Sequence, residues 1–264
     1  SIKVVDNNEH LGQIVSGSDQ ISKNIDLRIK KARGSLFSLL GPAFAYKCLL
    51  SPRVKLHLYR TYTCPILRSG LSTFPIRQAS IEPLSLFQRK TLRAILKLSK
   101  NSSIPAIHFL TGELPVEAKI HRDIFSLFFS IWANPNTKIF EIVKCLLQMS
   151  TENSRTWSVF VRNLSEMYNI EDPLTCLNND PPKKSIFKEK ILTKITAFHE
   201  KELRKHAKST VFFDFSNHAR AQVPIFTPKM QNLEFARLAR FARGNGIFDA
   251  ARNLENSRTG ARMT

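Results

Sequence analysis

A helical spacing of apolar residues that begins at Ile21 constrains the fold of this chain more than any other feature. Apolar side chains recur there at intervals of three and four residues, at Ile21, Ile25, Ile29, Ala32, Leu36 and Leu40. This spacing places them on one face of an α-helix of about twenty residues. The Gly41-Pro42 pair predicts the end of that helix, because proline has no backbone donor and glycine is a weak helix former.

Helical patterns continue over most of the chain. Ser51-Pro52 supplies an N-cap and a proline at the first helical position, and Pro65 and Gly70 later interrupt the pattern. Further helices are predicted at about 80–98, 116–132, 137–149, 154–168 and 186–207. The intervening stretch 170–185 contains three prolines and is typical of a linker.

The two ends of the sequence differ from this helical middle. At the N-terminal end, IKVV, a polar turn at DNNEH and LGQIVS predict a β-hairpin over 2–16. From Ser209 onward the pattern is irregular apart from a helical, Arg-rich stretch, NLEFARLARFARGNG. The predicted fold is therefore mostly α: an N-terminal β-hairpin remnant, a multi-helix bundle and an irregular C-terminal tail.

The patterns also divide the sequence into consecutive segments. These are a hairpin over 1–20, a basic helical region over 21–100, a helical connector over 101–169, a linker with an amphipathic helix over 170–208, and a poorly ordered Arg-rich tail over 209–264. A length of 264 residues allows one or two domains with a substantial core.

Positive charge is concentrated near the start of the sequence. The formal net charge is +19, and residues 21–100 hold 16 Lys and Arg against two acids, Asp26 and Glu82. Such an excess favours a polyanionic partner, and nucleic acid is the preferred interpretation. An acidic protein and an anionic membrane surface are the alternatives.

Residues for catalysis are scarce in this sequence. It has no Asp-Asp pair for two-metal chemistry, no glycine-rich phosphate loop and no nucleophile elbow, and residues 27–81 contain no acid. His108 and His121 are interpreted as packing residues, and His199-Glu200 as a surface pair. We therefore predict no catalytic residue, no bound cofactor and no small-molecule ligand in this chain.

The positions of the four cysteines and the length of the apolar runs indicate whether the chain binds zinc and in which cellular compartment it is expected. Cys48, Cys64, Cys145 and Cys176 are scattered, which predicts small buried thiols in a reducing compartment rather than a zinc site. FSLFFSIW (125–132) is too short to span a membrane, and no signal peptide opens the sequence. The expectation is an intracellular protein, nuclear or cytoplasmic, that does not bind membranes.

The candidate binding residues are basic side chains on three predicted helices. They are Arg28, Lys30, Lys31 and Arg33, then Arg53, Lys55 and Arg60, then Arg89, Lys90, Arg93 and Lys97. If the three helices pack side by side, these cations form a stripe that neutralises successive phosphates of a nucleic-acid strand. The aromatic residues nearby, Tyr59, Tyr62, Phe74 and Phe87, are interpreted as core side chains in preference to base-stacking ones.

In their order and spacing, residues 1–207 resemble the region C-terminal to the palm in LINE-type (non-LTR) retrotransposon reverse transcriptases. The matching positions are His10-Leu11-Gly12, Arg28-Ile29 with Ala32 and Leu36/Leu39, Leu50-Ser51 with Lys55 and Leu58-Tyr59, Pro65-Ile66-Leu67 with Gly70, Pro83-Leu84 with Phe87-Gln88, Leu92-Arg93 with Ile95-Leu96, TGELPVEAKIHRDIFSL and SRTW. The sequence departs from the family pattern where His10 and Ser69 replace tyrosine and Lys97 replaces glycine.

The resemblance implies a role in RNA-directed DNA synthesis without the catalytic part. His10-Leu11-Gly12 would be the edge of the palm, residues 21–100 a thumb and the following helices a connector. The partners would be RNA, DNA or an RNA/DNA duplex, together with the upstream palm and fingers of the same polyprotein. The palm, its Asp-Asp pair and its two Mg²⁺ ions would lie outside this sequence, as would the family's endonuclease and zinc knuckle.

Two other interpretations stay open at this point. The chain could be a non-enzymatic helical interaction or scaffold protein, a domesticated or decayed retroelement remnant, in which the apolar helices at 116–132 and 186–207 bind a partner. It could also be a decayed reading frame without a selected function.

Overall fold

The computed structural model describes residues 7–10, 12–16, 19–45, 50–149 and 156–208, and it confirms a mostly helical fold with an N-terminal hairpin. The hairpin strands are β1 (Asn7–His10) and β2 (Gln13–Ser16). The helices are α1 (Gln20–Ala45), α2 (Pro52–Leu58), α3 (Cys64–Arg68), α4 (Gln78–Leu96), α5 (Ile104–Thr111), α6 (Val116–Trp132), α7 (Lys138–Met149), α8 (Trp157–Met167), α9 (Pro173–Asn178) and α10 (Lys184–Lys208). A π-helical segment (Tyr59–Thr63) joins α2 to α3, and a 3₁₀ turn (Leu71–Thr73) follows α3.

The chain forms two compact units that are discontinuous in sequence. Unit 1 consists of residues 1–35, 62–85 and 114–200, and unit 2 of residues 36–61, 86–113 and 201–264. The Arg-rich tail, including the predicted helix NLEFARLARFARGNG, lies outside the described residues, as does the IKVV segment at the start.

The hairpin of unit 1 turns at a different place from the predicted one. His10 pairs with Gln13 and Asn7 with Ser16, so the turn lies between His10 and Gln13 and includes Gly12, and the predicted turn DNNEH supplies all four residues of β1. Gly12 has φ +77°, a conformation that favours glycine. A two-residue turn containing glycine is the preferred hairpin connection, which explains why the polar run is recruited as a strand.

Helix α1 does not end at Gly41-Pro42, so that prediction is wrong. The helix continues to Ala45. A proline in a helix forfeits one backbone hydrogen bond, and this cost is tolerable where packing holds the preceding turns. Leu36 and Leu40, the predicted inward residues before the pair, are indeed buried.

Helix α6 is the centre of unit 1. It contacts α3, the 3₁₀ turn, α7 and α8, and its apolar face, which includes Ile124, Phe125 and Phe128, is buried. Phe129 packs against Phe187 of α10 with ring centroids 4.9 Å apart. The apolar faces of 116–132 and of the first part of α10 are therefore used inside the unit, which contradicts their assignment to a partner protein.

The proline-rich stretch 170–185 is more ordered than a linker. It contains α9, whose Pro173, Cys176 and Leu177 are buried. Asp172 caps this helix by accepting hydrogen bonds from the backbone N–H groups of Leu174 (3.0 Å) and Thr175 (3.3 Å). The prediction of a linker is therefore wrong for residues 173–178, which form a capped helix between α8 and α10.

The cysteines follow the prediction only in part. Cys64 and Cys176 are buried thiols, whereas Cys145 on α7 is exposed. Burial, as the main cause, raises the pKa of Cys176 to about 11, so this thiol stays protonated at neutral pH. Among the described residues, no helix combines the length and the apolar character needed to cross a bilayer.

Candidate nucleic-acid interface

Unit 2 concentrates the positive charge of the described residues. Its described residues carry twelve Lys and Arg against two carboxylates, Glu113 and Glu202, whereas those of unit 1 carry seventeen against thirteen. Both carboxylates of unit 2 already bind a cation, since Glu113 pairs with Arg60 and Glu202 with Lys205. A surface of this kind attracts polyanions.

Helix α2 contributes two of the predicted binding residues to unit 2. It begins as predicted, with Pro52 in its first turn and with the Ser51 hydroxyl accepting from the Val54 N–H at 3.4 Å. Arg53 is exposed. Lys55 is 3% exposed, so its side chain is not available on the surface, as a phosphate-binding residue would have to be.

The pKa of Lys55 reflects its burial and the charge of a second cation of unit 2. Burial lowers the pKa of the Lys55 ammonium group, and repulsion from Lys97 lowers it further. Lys97 follows the end of α4, so α2 and this end of α4 bring like charges together within one unit. Repulsion between like charges is unfavourable, and an anion bound near them offsets it.

The other predicted residues of α4 divide into exposed and partly buried ones. Lys90 and Lys97 are exposed, and Arg89 and Arg93 are half-buried. Arg93 donates to the Ser102 carbonyl oxygen at 2.9 Å, and burial, followed by repulsion from Arg89, lowers its pKa. Arg93 therefore serves the packing of unit 2 as well as its charge.

Arg60 is held inside unit 2 by two partners. Its guanidinium donates to the Thr111 carbonyl oxygen at 2.7 Å and binds the buried Glu113 carboxylate. These contacts join the π-helical segment to the end of α5. Arg60 is consequently a structural residue of the unit, although almost half of its side chain is exposed.

The four predicted residues of α1 lie in unit 1, and two of them bind the hairpin. Arg28 is buried and donates to the Gly12 carbonyl oxygen at 2.6 Å, and Lys31 pairs with Glu9 at 2.8 Å. Arg28 is therefore not the solvent-exposed cation that binding to phosphates would require. Lys30 and Arg33 are exposed, as predicted.

Two further side chains of α1, which were not predicted, also bind the hairpin. The Asn24 side chain accepts from the Ile14 N–H and donates to the Ile14 carbonyl oxygen, both at 2.8 Å, and Lys23 donates to the Ser16 hydroxyl at 2.7 Å. An asparagine four residues after the start of a helix gives no sequence signal of such a contact. His10, in the predicted palm-edge motif, is exposed at the end of β1.

The predicted aromatic residues are largely core residues. Tyr59 and Phe87 are buried, and Phe74 is half-buried. Tyr62 is the exception, because 51% of it is exposed.

A buried chain of hydrogen bonds in unit 1 was also missed. The Tyr168 hydroxyl lies 2.7 Å from His121 Nδ1 and 2.8 Å from His199 Nε2. His121 is a packing residue as expected, whereas His199 is buried, contrary to its interpretation as a surface residue. Burial, with a smaller contribution from His199, lowers the pKa of His121 to about 3, and burial raises the pKa of Tyr168. The His121 ring and the Tyr168 hydroxyl are therefore both neutral at physiological pH.

The described residues hold no group of three or more His, Cys, Asp or Glu side chains placed to bind a metal ion. Unit 1 has a shallow cleft of about 270 Å³ whose lining includes Trp132, Phe187 and Cys176. The raised pKa of Cys176 leaves this cleft without a reactive thiolate.

Compared with known protein families, with curated proteins and with solved structures, the chain has no match.

Proposed function

We propose that this chain binds nucleic acid through the phosphate backbone, as the thumb and connector part of a LINE-type reverse transcriptase, and that catalysis belongs to a palm outside it. The charge of the described residues of unit 2 carries the proposal: they include twelve Lys and Arg but only two carboxylates, and each of these carboxylates is already paired with a cation. Phosphates repeat along a strand, so the exposed cations of unit 2, which include Arg53, Lys90 and Lys97, can bind several phosphates at once.

The backbone conformation at the glycines of the resembling motifs adds support. The described glycines with positive φ are Gly12, Gly70 and Gly112, and each belongs to one of these motifs. Lys97, which stands where the family pattern has glycine, has φ +53°. Because glycine adopts positive φ without a steric cost, the backbone conformation at residue 97 gives a physical reason why the family pattern has glycine at this position.

A titration of a labelled RNA/DNA duplex by fluorescence anisotropy tests the proposal. We expect the double substitution Arg53→Glu and Lys90→Glu in unit 2 to weaken binding by about tenfold or more, and to reduce the dependence of log K on log salt by about two. Arg28 and Lys31 are unsuitable for charge reversal, because both also bind the hairpin.

The matched control is Lys184→Glu with Lys188→Glu in unit 1. Both lysines are exposed, and the change in net charge is the same. An equal loss in the two double variants would show that net charge alone governs binding and would refute the assignment to unit 2. Absence of binding by the wild-type chain would refute the proposal as a whole.

A helical interaction protein is the second candidate function. The helices first assigned to a partner are packed inside unit 1, but α7 favours this candidate because it exposes several large apolar side chains. Co-purification of nucleic acid that is released by salt supports the first candidate, and a stable oligomer that neither contains nor binds nucleic acid supports the second.

A further inference from the structure

Helix α7 of unit 1 exposes four large apolar side chains in a single row. Their exposed fractions are 60% for Ile139, 57% for Ile142, 38% for Leu146 and 76% for Met149. We call this row the α7 stripe. Single exposed apolar residues are common on protein surfaces, whereas four in one row of a twelve-residue helix indicate a contact surface.

The apolar face of α7 is wider than the part of it that packs against the other helices of unit 1. Val143 and Leu147 are buried, and α7 contacts α8 and α9. At 100° per residue, this buried pair and the α7 stripe occupy adjacent faces of the helix. Glu141, Lys144 and Gln148 fall on the remaining face, so a partner that covers the α7 stripe meets none of these polar side chains.

The spacing of the α7 stripe identifies the shape of the partner. The intervals are three, four and three residues, which is the a/d spacing at which one helix packs against another in a coiled coil. The same intervals are read from either end of the row. A second α7 in antiparallel orientation therefore places Ile139 opposite Met149 and Ile142 opposite Leu146, twice each, as a two-fold contact requires.

We propose that the α7 stripe binds the α7 stripe of a second copy of this chain, antiparallel, about a two-fold axis that passes between Ile142 and Leu146 at the level of residue 144. The inference does not depend on the proposed nucleic-acid function. Two four-residue rows bury less than the roughly 800 Å² per partner of a standard interface, so we expect a weak dimer with a Kd on the order of 10–100 µM.

Sedimentation velocity of the nuclease-treated full chain in high salt, from about 2 to 200 µM, measures this equilibrium. The wild-type chain should shift from monomer to dimer over this range. Ile142→Glu should weaken association by more than tenfold. Ile186→Glu is the matched control, since Ile186 is 56% exposed on α10 and undergoes the same change of charge. A monomer at every concentration, or equal effects of the two variants, would overturn the proposal.

Cross-linking tests the antiparallel orientation without a substitution in the α7 stripe. Cys145 is exposed, flanks the α7 stripe and lies one residue from the expected axis. A bis-maleimide spanning roughly 8–10 Å, the distance between packed helices, should therefore join two Cys145 thiols. The covalent dimer should be absent from Cys145→Ser. A dimer that forms without this cross-link would refute the antiparallel pairing.

Discussion

Gly70 illustrates at the residue scale how one position can exclude a side chain for two reasons. Its φ is +72°, and a Cβ there would lie 2.3 Å from Nε2 of Gln13, which donates to the Gly70 carbonyl oxygen at 3.1 Å. We expect Gly70→Ala to lower the free energy of unfolding by roughly 1–2 kcal/mol, because the backbone is left-handed and Gln13 must move. Urea denaturation measures the change.

Gly34 provides the control for Gly70. It lies inside α1, and a Cβ there would meet no atom within 4 Å. Gly34→Ala should raise the free energy of unfolding by about 0.5–1 kcal/mol, because alanine loses less conformational entropy in a helix. Destabilisation by both substitutions would contradict the explanation from backbone conformation.

The buried His121–Tyr168–His199 chain predicts a pH dependence of stability. The pKa of His121 is about 3 in the folded chain and about 6.5 in an unfolded one. Between these values the unfolded state binds more protons, so the contribution is complete above pH 6.5 and is lost as the pH falls towards 3. The wild-type chain should lose about 2 kcal/mol of unfolding free energy from this residue between pH 7.5 and pH 5.

Urea unfolding of His121→Phe at these two pH values isolates that contribution. The phenylalanine cannot be protonated, and the Tyr168 hydroxyl keeps His199 as a partner. The difference in unfolding free energy between pH 7.5 and pH 5 should shrink by about 2 kcal/mol. His206→Phe, on the exposed end of α10, should keep the wild-type pH dependence. The explanation fails if the two variants respond alike.

At the scale of the element, α9 shows how a short helix is kept in a stretch that looks like a linker. The Asp172 carboxylate accepts from two backbone N–H groups and lies 3.4 Å from Nε of Arg162. Asp172→Ala should cost about 1 kcal/mol, the usual value of an N-cap, and Asp172→Asn should cost much less, because asparagine also caps. Thermal unfolding of the two variants distinguishes the cap from the ion pair, and equal losses would assign the effect to the ion pair.

Helix α1 is another element whose role follows from its contacts. Asn24, Arg28 and Lys31 all bind the hairpin, with Asn24 satisfying both backbone groups of Ile14. A two-stranded hairpin is marginally stable by itself, so side chains of α1 hold it in place. The basic helix therefore contributes structure as well as charge.

At the scale of the whole molecule, the division of positive charge between the two units depends on which segments of the chain each unit contains. The sequence shows a basic block at 21–100, yet the units divide this block and combine part of it with the end of α10. The described residues of unit 2 thereby reach a formal net charge of +10, against +4 for the more than twice as many described residues of unit 1. Long-range attraction of a polyanion is therefore expected to act mainly on unit 2.

Helix positions were largely predictable, because an amphipathic helix repeats its apolar residues at a fixed interval. The bounds of α6 agree with the predicted 116–132, and those of α7 and α10 differ by one or two residues. The end of α1, the hairpin turn and α9 were not predicted correctly. At the end of α1 and in α9, packing or a capping contact outweighed a local signal from proline or glycine. In the hairpin, the turn that contains Gly12 outweighed the turn signal of the polar run DNNEH.

The candidate site was less predictable than the helices. A count of lysines and arginines indicates a basic protein, but it does not distinguish Arg28 and Lys55, which are buried, from Lys30 and Lys90, which are exposed. His199 was misassigned for the same reason, since the tyrosine that binds it lies 31 residues away.

The sequence by itself determined the helical fold class, most helix positions and the large positive charge, because these properties depend on composition and on short-range spacing. Only the tertiary structure decided which cations are buried, how the charge divides between two units, and which apolar helix face stays exposed on α7. Burial depends on contacts between residues distant in sequence, and such contacts leave no periodic signal in the chain.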